Sequence, residues 1–424
     1  MTCRSRCVYG WAAALLVMSL ARSASAYSVL AHEANVDALW DKAITPVLLQ
    51  RFPRTTADEL SDARAYAYGG CVIQDLGYYP FGNHFFSDLL HYVRTGDFVT
   101  ALVRDARDVN ELAFALGALA HYAADSRGHP LATNRAVPMV YPKLRAKFGD
   151  RITYAQAPKN HVMVEFSFDV VQVASGAYAS EAYHKFIGFK VAIPALERAM
   201  RAIYGVEMKD LFVNLDLAIG TYRHAVSSII PEMTKVAWRD KREAILKVAP
   251  QAQESAFVFR LSRQDYEHEY GADYAKPRLF ARFIGVLFKL LPKVGPFRTL
   301  AFVVPTPEAE RLFVDSFAET QTRFRETLAE SRRGDLRLAN RDLDTGAETQ
   351  LGEYTLADKT YEDLVEKLAS RKFQNVPPEL AANIAAYYGN VTELPGDTSR
   401  HHKRSAKLMQ KLDAMKKGMF LVKE

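Results

Sequence analysis

Cysteine is nearly absent from this chain, which has three among its 424 residues. Cys3 and Cys7 lie in an N-terminal segment that we expect to be removed on export, so only Cys71 would remain. One cysteine excludes an internal disulfide and a zinc site built from thiolates. If the protein holds a metal ion, the ligands must come from His, Asp and Glu side chains.

Long apolar runs are also few, and the one at the N-terminus has the pattern of an export signal. Two arginines precede an apolar run from Val8 to Leu20, and the small residues Ala24-Ser25-Ala26 follow it. This order is typical of a cleavable signal peptide, and the run is shorter than the roughly 20 apolar residues that cross a bilayer. We therefore predict a signal peptide over residues 1–26, a mature start at Tyr27, and a periplasmic or extracellular protein.

Strand-like alternation is scarce, whereas apolar residues recur at spacings of three and four between short Pro, Gly and Asp breaks. The pattern predicts an all-α, multi-helix bundle. One helix should run from Val109 to Asp125, with Asp108 and Glu111 forming a capping box at its start. Almost all of its residues are apolar, as in a helix surrounded by others, so His121 and Asp125 should lie deep in the protein.

The second half of the chain differs in character from the first. It has Tyr- and Arg-rich helical segments, a polar loop near Asn340 to Gly352 and a basic tail after Pro395. We place a boundary near Asp240, which gives a helical domain over residues 27–240 and a C-terminal helical extension over residues 241–424. The extension could shape a substrate cleft, contact a membrane or bind a partner, and the sequence identifies no protein partner.

Histidine and carboxylate residues cluster in the first half. Six of the eleven histidines fall between His32 and His161. His121 and Asp125 are four residues apart, as are His161 and Glu165, and this spacing places both members of a pair on one helix face, where they can reach one metal ion. Zinc binds imidazole nitrogen and carboxylate oxygen where thiolates are missing. A buried hydrogen-bond network would satisfy the same side chains, so the pattern leaves both interpretations open.

These segments resemble, in order, the zinc-dependent phospholipase C family and its P1 and S1 nuclease relatives, over roughly residues 27–180. The segment from Gly117 to Asp125 is the most similar. In this family the first residue of the mature chain binds metal through its own amine and carbonyl, and one Asp both binds metal and acts as the base. Tyr27 and Asp75 correspond to these two. The resemblance implies three zinc ions, whose ligands would be Tyr27, His32, Asp75, His91, His121, Asp125, His129, His161 and Glu165.

The sequence departs from the family pattern at two of these positions. Tyr27 stands where Trp is common, and His129 follows the preceding ligand by four residues instead of six. Because the residue before a proline avoids helical geometry, His129 should lie just beyond the end of the central helix. For the ligand that follows Asp75, His84 is a rival, although we prefer His91.

Clustered divalent ions suit the hydrolysis of phosphodiesters. The resemblance implies a secreted zinc-dependent phospholipase C-like hydrolase that acts on phospholipids, with Asp75 as the catalytic base. A basic amphipathic stretch from Arg278 to Lys293 favours a membrane surface as partner, although an ordinary core helix with a basic solvent face has the same pattern. Two alternatives stay open: a P1/S1-type single-strand nuclease, whose substrate would be nucleic acid, and a non-catalytic envelope protein with structural zinc.

Overall fold

The computed structural model describes residues 28–178, 188–256, 301–389 and 406–415. In these ranges the chain is helical, and its one β-type pairing is an isolated bridge between Arg341 and Glu348. The prediction of an all-α multi-helix bundle is confirmed. The α-helices are α1 (Val29–Leu39), α2 (Thr45–Arg51), α3 (Ala57–Val72), α4 (His84–Tyr92), α5 (Thr95–Arg104), α6 (Val109–Gly128), α7 (Asn134–Val140), α8 (Pro142–Phe148), α9 (Pro158–Ala174), α10 (Ile193–Tyr204), α11 (Leu215–His224), α12 (Ile230–Val248), α13 (Pro307–Arg333), α14 (Thr355–Ser370) and α15 (Pro378–Tyr388).

Short helical turns of other types extend or join several of these helices, and residues 406–415 form a further helix. The turns with the tighter 3₁₀ geometry are Ile73–Tyr78, Met208–Asp210 and Glu254–Ala256. The wider π-helical turns are Trp40–Ile44, His129–Thr133 and Ala225–Ile229. Turns of the wider type often occur at functional sites.

Helix α6 is the predicted central helix, and it extends three residues beyond the predicted end. The Asp108 carboxylate accepts a hydrogen bond from the Glu111 backbone N–H at 2.8 Å, as expected of an N-cap. The carboxylate of Glu111 accepts instead from the N–H of Arg107, at 2.9 Å, and also pairs with Arg198. The reciprocal half of the predicted capping box is therefore replaced by these two contacts.

A close crossing of α3 and α6 fixes the position of the turn that follows α3. A Cβ atom added at Gly70 would lie 1.8 Å from the carbonyl oxygen of Phe114, so only glycine allows the two backbones to approach this far. Just beyond the crossing, the side-chain amide of Gln74 donates to the carbonyl of Ala118 at 3.2 Å. The 3₁₀ turn Ile73–Tyr78 is thereby held against the middle of α6.

Two apolar cores meet at α6. Leu119 belongs to the larger core, with residues of α3, α4, α5, α10 and α14, whereas Ala124 belongs to the second core, with residues of α9, α12 and α13. In the second core the rings of Phe168 and Phe313 stack with their centroids 4.7 Å apart. Burial of a side chain of this size contributes about 1.5–3 kcal/mol. His121, which lies between Leu119 and Ala124 on α6, is thus flanked by both cores.

The C-terminal part packs directly on the first half. Asp240, the predicted boundary, lies inside α12, and α13 packs along α6. Whether residues 27–240 form a separate domain stays a prediction. The predicted signal peptide, Tyr27 and the stretch from Arg278 to Lys293 lie outside the described residues. Within the described ranges, the helices are too short or too polar to cross a membrane.

Candidate metal centre

The carboxylate of Asp125 lies at the centre of a group of histidines. His121 and Asp125 are both fully buried on one face of α6, as predicted, and their Nε2 and Oδ2 atoms are 3.0 Å apart. The same Oδ2 is 3.5 Å from Nε2 of His91, and Oδ1 is 3.4 Å from Nε2 of His32. Three imidazoles from three helices therefore face one carboxylate.

Five elements of the first half carry the remaining predicted ligands into the same region. His32 lies on α1, Asp75 in the 3₁₀ turn, His91 at the end of α4, His129 in the π turn after α6, and His161 with Glu165 on α9. Three groups have ligand atoms that all lie within 4.8 Å of one another: His32, His121 and Asp125; Asp75, His91 and His121; His129, His161 and Glu165. The structure thus brings together the predicted ligands that it describes, and their binding of metal stays a prediction.

The tautomers of His91 and His121 are fixed by the backbone. Nδ1 of His91 is 2.8 Å from the carbonyl oxygen of Ser87, and Nδ1 of His121 is 2.9 Å from that of Cys71. Because a carbonyl oxygen only accepts, each Nδ1 must carry the proton, which leaves a lone pair on Nε2 of each neutral ring. The two Nε2 atoms face each other at 3.3 Å. A backbone partner that orients an imidazole in this way is typical of metal-binding histidines.

His161 is oriented by an amide side chain. Asn134 donates from Nδ2 to the carbonyl oxygen of Asp344 at 2.7 Å, so its Oδ1 must be the atom that lies 2.8 Å from Nε2 of His161. Nε2 therefore donates, and the lone pair of Nδ1 faces Oε1 of Glu165 at 2.7 Å. Nδ1 of His161 and Oε1 of Glu165 therefore lie close enough to bind the same metal ion.

His129 supplies the clearest test of whether a metal ion fits. Both of its ring nitrogens are buried, and neither makes a hydrogen bond to a described residue. Nε2 lies 3.3 Å from Oδ1 of Asp344, and the ring packs against that of His161 with centroids 5.0 Å apart. A buried nitrogen without a hydrogen bond carries a desolvation cost, which a bound cation would remove. The residues present therefore fit zinc, whose preferred ligands they are.

The backbone at His129 differs from the prediction. The helix ends at Gly128, but His129 keeps helical torsions, with φ −59° and ψ −60°, and continues into the π turn His129–Thr133. The expectation that a residue before proline leaves helical geometry is wrong here. The reason is that the wider π turn accommodates the ring of Pro130, and it carries the His129 side chain inward.

Burial and charge set the protonation states of the site. Burial lowers the pKa of His161 to about 3 and that of His129 well below its usual value, against the opposing charge of Asp125. Burial also raises the pKa of Glu165 well above its usual value, and the charge of Asp125 adds to this. Burial also lowers the pKa of His91, but contacts with Asp125 and Asp75 outweigh this effect and raise its pKa to about 9. A bound cation would favour ionised carboxylates and neutral imidazoles throughout.

The two candidate histidines after Asp75 occupy different places. His91 Nε2 lies 3.5 Å from Oδ1 of Asp75, whereas His84 is partly exposed at the start of α4, with its ring 5.5 Å from that of Tyr78. The structure therefore brings His91, and not His84, to the group of potential ligands.

Sequence reasoning missed several buried residues around the site. Oδ2 of Asp169 accepts from the backbone N–H of Leu30 at 3.3 Å and so fixes the first turn of α1, which carries His32. Asp169 follows Glu165 by four residues, so the same helical spacing could have identified it. Asp344 comes from the loop between α13 and α14, residues 334–354, and no spacing or resemblance pointed to it.

Comparison with known proteins agrees with this geometry. Residues 32–212 match the family model described as zinc dependent phospholipase C. Searches among curated proteins and among solved structures found no match. The matched segment contains all the described ligand candidates of the first half and ends before α11. Residues 32–212 are thus similar to the zinc-dependent phospholipase C family over somewhat less than half of the chain.

Proposed function

We propose that the protein is an exported zinc-dependent phosphodiester hydrolase that cleaves phospholipids as a phospholipase C. Similarity to this family supports a zinc-dependent hydrolase with a lipid substrate. The observation that carries the proposal is the pair of opposed Nε2 lone pairs of His91 and His121 beside the buried carboxylate of Asp125. Two electron pairs and an anion at such distances are stabilised by a cation between them, which can be a proton or a metal ion.

The three residue groups suggest three ions. One would be held by His32, His121 and Asp125, a second by Asp75 and His91 with their α6 neighbours, and the third by the group that contains His129. When bound, such ions polarise a phosphoryl oxygen, acidify water and stabilise the leaving oxygen. The protein's part is to hold the ligands rigidly, which the backbone contacts of the imidazoles and the two apolar cores support.

Asp75 is the proposed base. It lies in the 3₁₀ turn held against α6, 1% exposed, with Oδ1 near Nε2 of His91. In the proposed step the oxygen of a water forms a bond to phosphorus while the bond from phosphorus to the glycerol oxygen breaks. The water proton passes to Asp75 and then to the glycerol oxygen, which gives diacylglycerol and a phosphorylated headgroup. A positioned base of this kind contributes about 10²- to 10⁴-fold to the rate.

Two exposed apolar side chains near the Asp75 turn favour a lipid surface as the substrate. Phe81, six residues after Asp75, is 47% exposed, and Val213 is fully exposed. A hydrogen bond of 2.7 Å from the Asn83 amide to the Leu211 carbonyl joins the segments that carry them. Exposed apolar side chains on adjoining segments can enter the outer layer of a bilayer.

Export is part of the same proposal. Cleavage after residue 26 would create a free amine at Tyr27, one residue before the described chain begins and five residues before His32. Asp169 already holds the start of α1, as its contact with Leu30 shows. Signal removal would thus supply the remaining ligand, in the periplasm or outside the cell.

The test uses the chain that starts at Tyr27, with a chain that keeps one extra N-terminal residue as the control. Zinc content is measured, followed by hydrolysis of phosphatidylcholine vesicles and of single-stranded DNA, before and after chelation and after zinc is returned. We expect about three zinc ions per chain and chelator-sensitive lipid cleavage, and less of both in the extended control. DNA cleavage without lipid cleavage would favour the nuclease, and zinc without either activity would favour a non-catalytic protein. A chain without zinc would contradict the proposal altogether.

A further inference from the structure

We propose that Asp344, from the C-terminal part of the chain, is a fourth protein ligand of the metal ion held by His129, His161 and Glu165. This inference rests on the proposed zinc site and extends it to a residue outside the segment that matches the family model. It also gives the C-terminal extension, whose role the sequence leaves open, a part in building the site.

The distance between Asp344 and His129 is that of two ligands of one ion. Oδ1 of Asp344 lies 3.3 Å from Nε2 of His129, yet this nitrogen makes no hydrogen bond to any residue that the structure describes. Zinc binds nitrogen and carboxylate oxygen at about 2.0–2.2 Å, so two ligand atoms at adjacent corners of a tetrahedron are about 3.3 Å apart. The two atoms therefore have the separation of two ligand atoms of one ion, although Asp344 is not in the group of residues whose ligand atoms all lie within 4.8 Å of one another.

The second oxygen of Asp344 is held by two phenols. The Tyr92 hydroxyl donates to Oδ2 at 3.0 Å, and the Tyr354 hydroxyl donates to the same atom. These donors orient the carboxylate so that Oδ1 points to His129. Asp344 is only 1% exposed, and partners of this kind around a ligating carboxylate typically change metal affinity by about 10- to 100-fold.

The backbone of the α13–α14 loop is tied to the same site. The carbonyl of Asp344 accepts from Asn134, the residue that orients His161, and the N–H of Leu343 donates to the carbonyl of His91 at 3.0 Å. At Gly346, with φ +72°, an added Cβ would lie 2.6 Å from the carbonyl of Ser126, so the loop lies directly on the end of α6. Asp344 is thus placed by the fold and not by a chance rotamer.

A fourth protein ligand would give the ion of the His129 group a different role from that of the other ions. Four protein ligands close a tetrahedral site, as in structural zinc centres, whereas catalysis needs an open position. The ion of the His129 group would then stabilise the fold. The open positions would remain in the groups that contain His32 and Asp75.

The test compares the Tyr27-initiated wild type with Asp344→Asn and Asp344→Ala. The matched control is Glu348→Gln, which removes an exposed carboxylate from the same loop. Zinc per chain is measured after dialysis, zinc affinity is measured by competition with a chelator, and melting is measured with and without zinc. We expect both Asp344 variants to lose one zinc ion, or to bind one about 10- to 100-fold more weakly, and Glu348→Gln to match the wild type.

Melting of the metal-free proteins separates a ligand from a merely structural acceptor. In the metal-free protein Oδ1 of Asp344 lies 3.3 Å from Nε2 of His129 without a hydrogen bond to it, and an Asn side chain would keep an acceptor oxygen for the Tyr92 and Tyr354 hydroxyls. Without metal, Asp344→Asn should therefore melt no lower than the wild type, while the rise in melting temperature on adding zinc shrinks. A lower metal-free melting temperature with unchanged zinc affinity would overturn the inference, as would wild-type zinc content in both variants.

Two further results complete the test. Tyr354→Phe keeps the carboxylate and removes one of its two phenol donors, so it should weaken zinc binding less than Asp344→Asn does. If Asp344→Asn does not fold, Tyr354→Phe decides the matter. Wild-type zinc affinity in Tyr354→Phe would then count against the inference. If the wild type itself holds no zinc, the proposed function fails. If the wild type binds zinc and Asp344→Asn binds it equally well, only the inference about Asp344 fails.

Discussion

The Nε2 atoms of His91 and His121 lie 3.3 Å apart, and the Nδ1 atom of each ring is bonded to a backbone carbonyl. The helices that carry them, α4 and α6, are fixed by apolar packing that does not involve the site. The fold therefore holds the two Nε2 atoms close together, and a proton or a metal ion can lie between them. A site built in this way is preorganised for a cation and gains stability when one binds.

Replacement of Asp75 tests the assignment of the base. Asp75→Asn keeps the shape of the side chain but lowers its basicity, so we expect the turnover rate on phosphatidylcholine to fall by at least about 100-fold. Because an amide oxygen still binds metal weakly, the loss of zinc should not exceed one ion per chain. Zinc content and initial rates are measured on the same sample.

Asp88→Asn is the control for this change. Asp88 lies on α4 and accepts from the Tyr78 hydroxyl at 3.1 Å, outside the three ligand groups. It should keep most of the activity. Full activity in Asp75→Asn with an unchanged zinc content would show that another group accepts the proton.

Gly70 tests whether the close crossing of α3 and α6 positions the site. A Cβ at this position meets backbone and not a flexible side chain, so Gly70→Ala must push the helices apart. We expect a loss of stability of about 1–3 kcal/mol, as in other overpacked interiors, together with weaker zinc binding. Chemical unfolding and zinc competition measure the two effects.

Gly334→Ala is a suitable comparison for Gly70→Ala, because an added Cβ there has no neighbour within 4 Å. Its positive φ of 79° makes alanine unfavourable for a local reason, so it should lose stability without losing zinc affinity. Equal zinc affinity in Gly70→Ala and the wild type would mean that the crossing does not set the ligand geometry.

The fold class and two pairs of candidate ligands were predictable from local patterns. Helical spacing alone places His121 beside Asp125 and His161 beside Glu165, and the apolar surroundings of α6 predict the burial of its pair. The resemblance adds His32, Asp75 and His91, which come from three other elements. No local pattern relates these elements in space, because their positions depend on how the helices pack.

Other features were not predictable for identifiable reasons. The helical torsions of His129 depend on a π turn, which the local rule for residues before proline does not include. Asp344 lies 179 positions after Glu165, and its place beside His129 depends on α13 packing along α6 and on the contacts of Leu343 and Asn134. Such a contact depends on tertiary structure alone, and the matched family segment ends well before it.

The exposed residues Phe81 and Val213 test the lipid-surface interpretation. The double variant Phe81→Asn with Val213→Ser should hydrolyse phosphatidylcholine vesicles at least about tenfold more slowly, since even one apolar side chain that enters a bilayer contributes about 1.5–3 kcal/mol when fully buried. Asn is chosen because Phe81 has a positive φ of 65°, which Asn tolerates. A short-chain, soluble phosphatidylcholine should be cleaved at the wild-type rate.

Val314→Ser is the control for the surface variant, because Val314 is 50% exposed on α13 and lies outside the segments joined by Asn83 and Leu211. It should leave vesicle hydrolysis unchanged. Equal losses on vesicles and on the soluble lipid would assign Phe81 and Val213 to the site's structure instead of to membrane contact.

Glu310 gives a pH dependence of stability that is separate from the metal centre. It lies in the first turn of α13, accepts from Gln172 through Oε1, and has Oε2 buried without a hydrogen bond to a described residue. Burial raises its pKa to about 7. Between pH 4.5 and about 7 the unfolded chain releases this proton while the folded chain keeps it, so the free energy of unfolding falls as pH rises, by about 3 kcal/mol in all.

Glu310→Gln removes the titrating proton and should therefore flatten this dependence. Relative to the wild type, it should gain stability at pH 8 and gain none below pH 4.5, where the carboxyl group is protonated in both states. The exposed Glu308 lies two residues earlier on the same helix, and Glu308→Gln should leave the wild-type dependence unchanged. Urea unfolding of the three proteins at pH 4.5, 6 and 8 measures the difference. If Glu310→Gln and the wild type gave parallel curves, the buried carboxyl group would have to be ionised across this range, with a cation of the protein or solvent beside it.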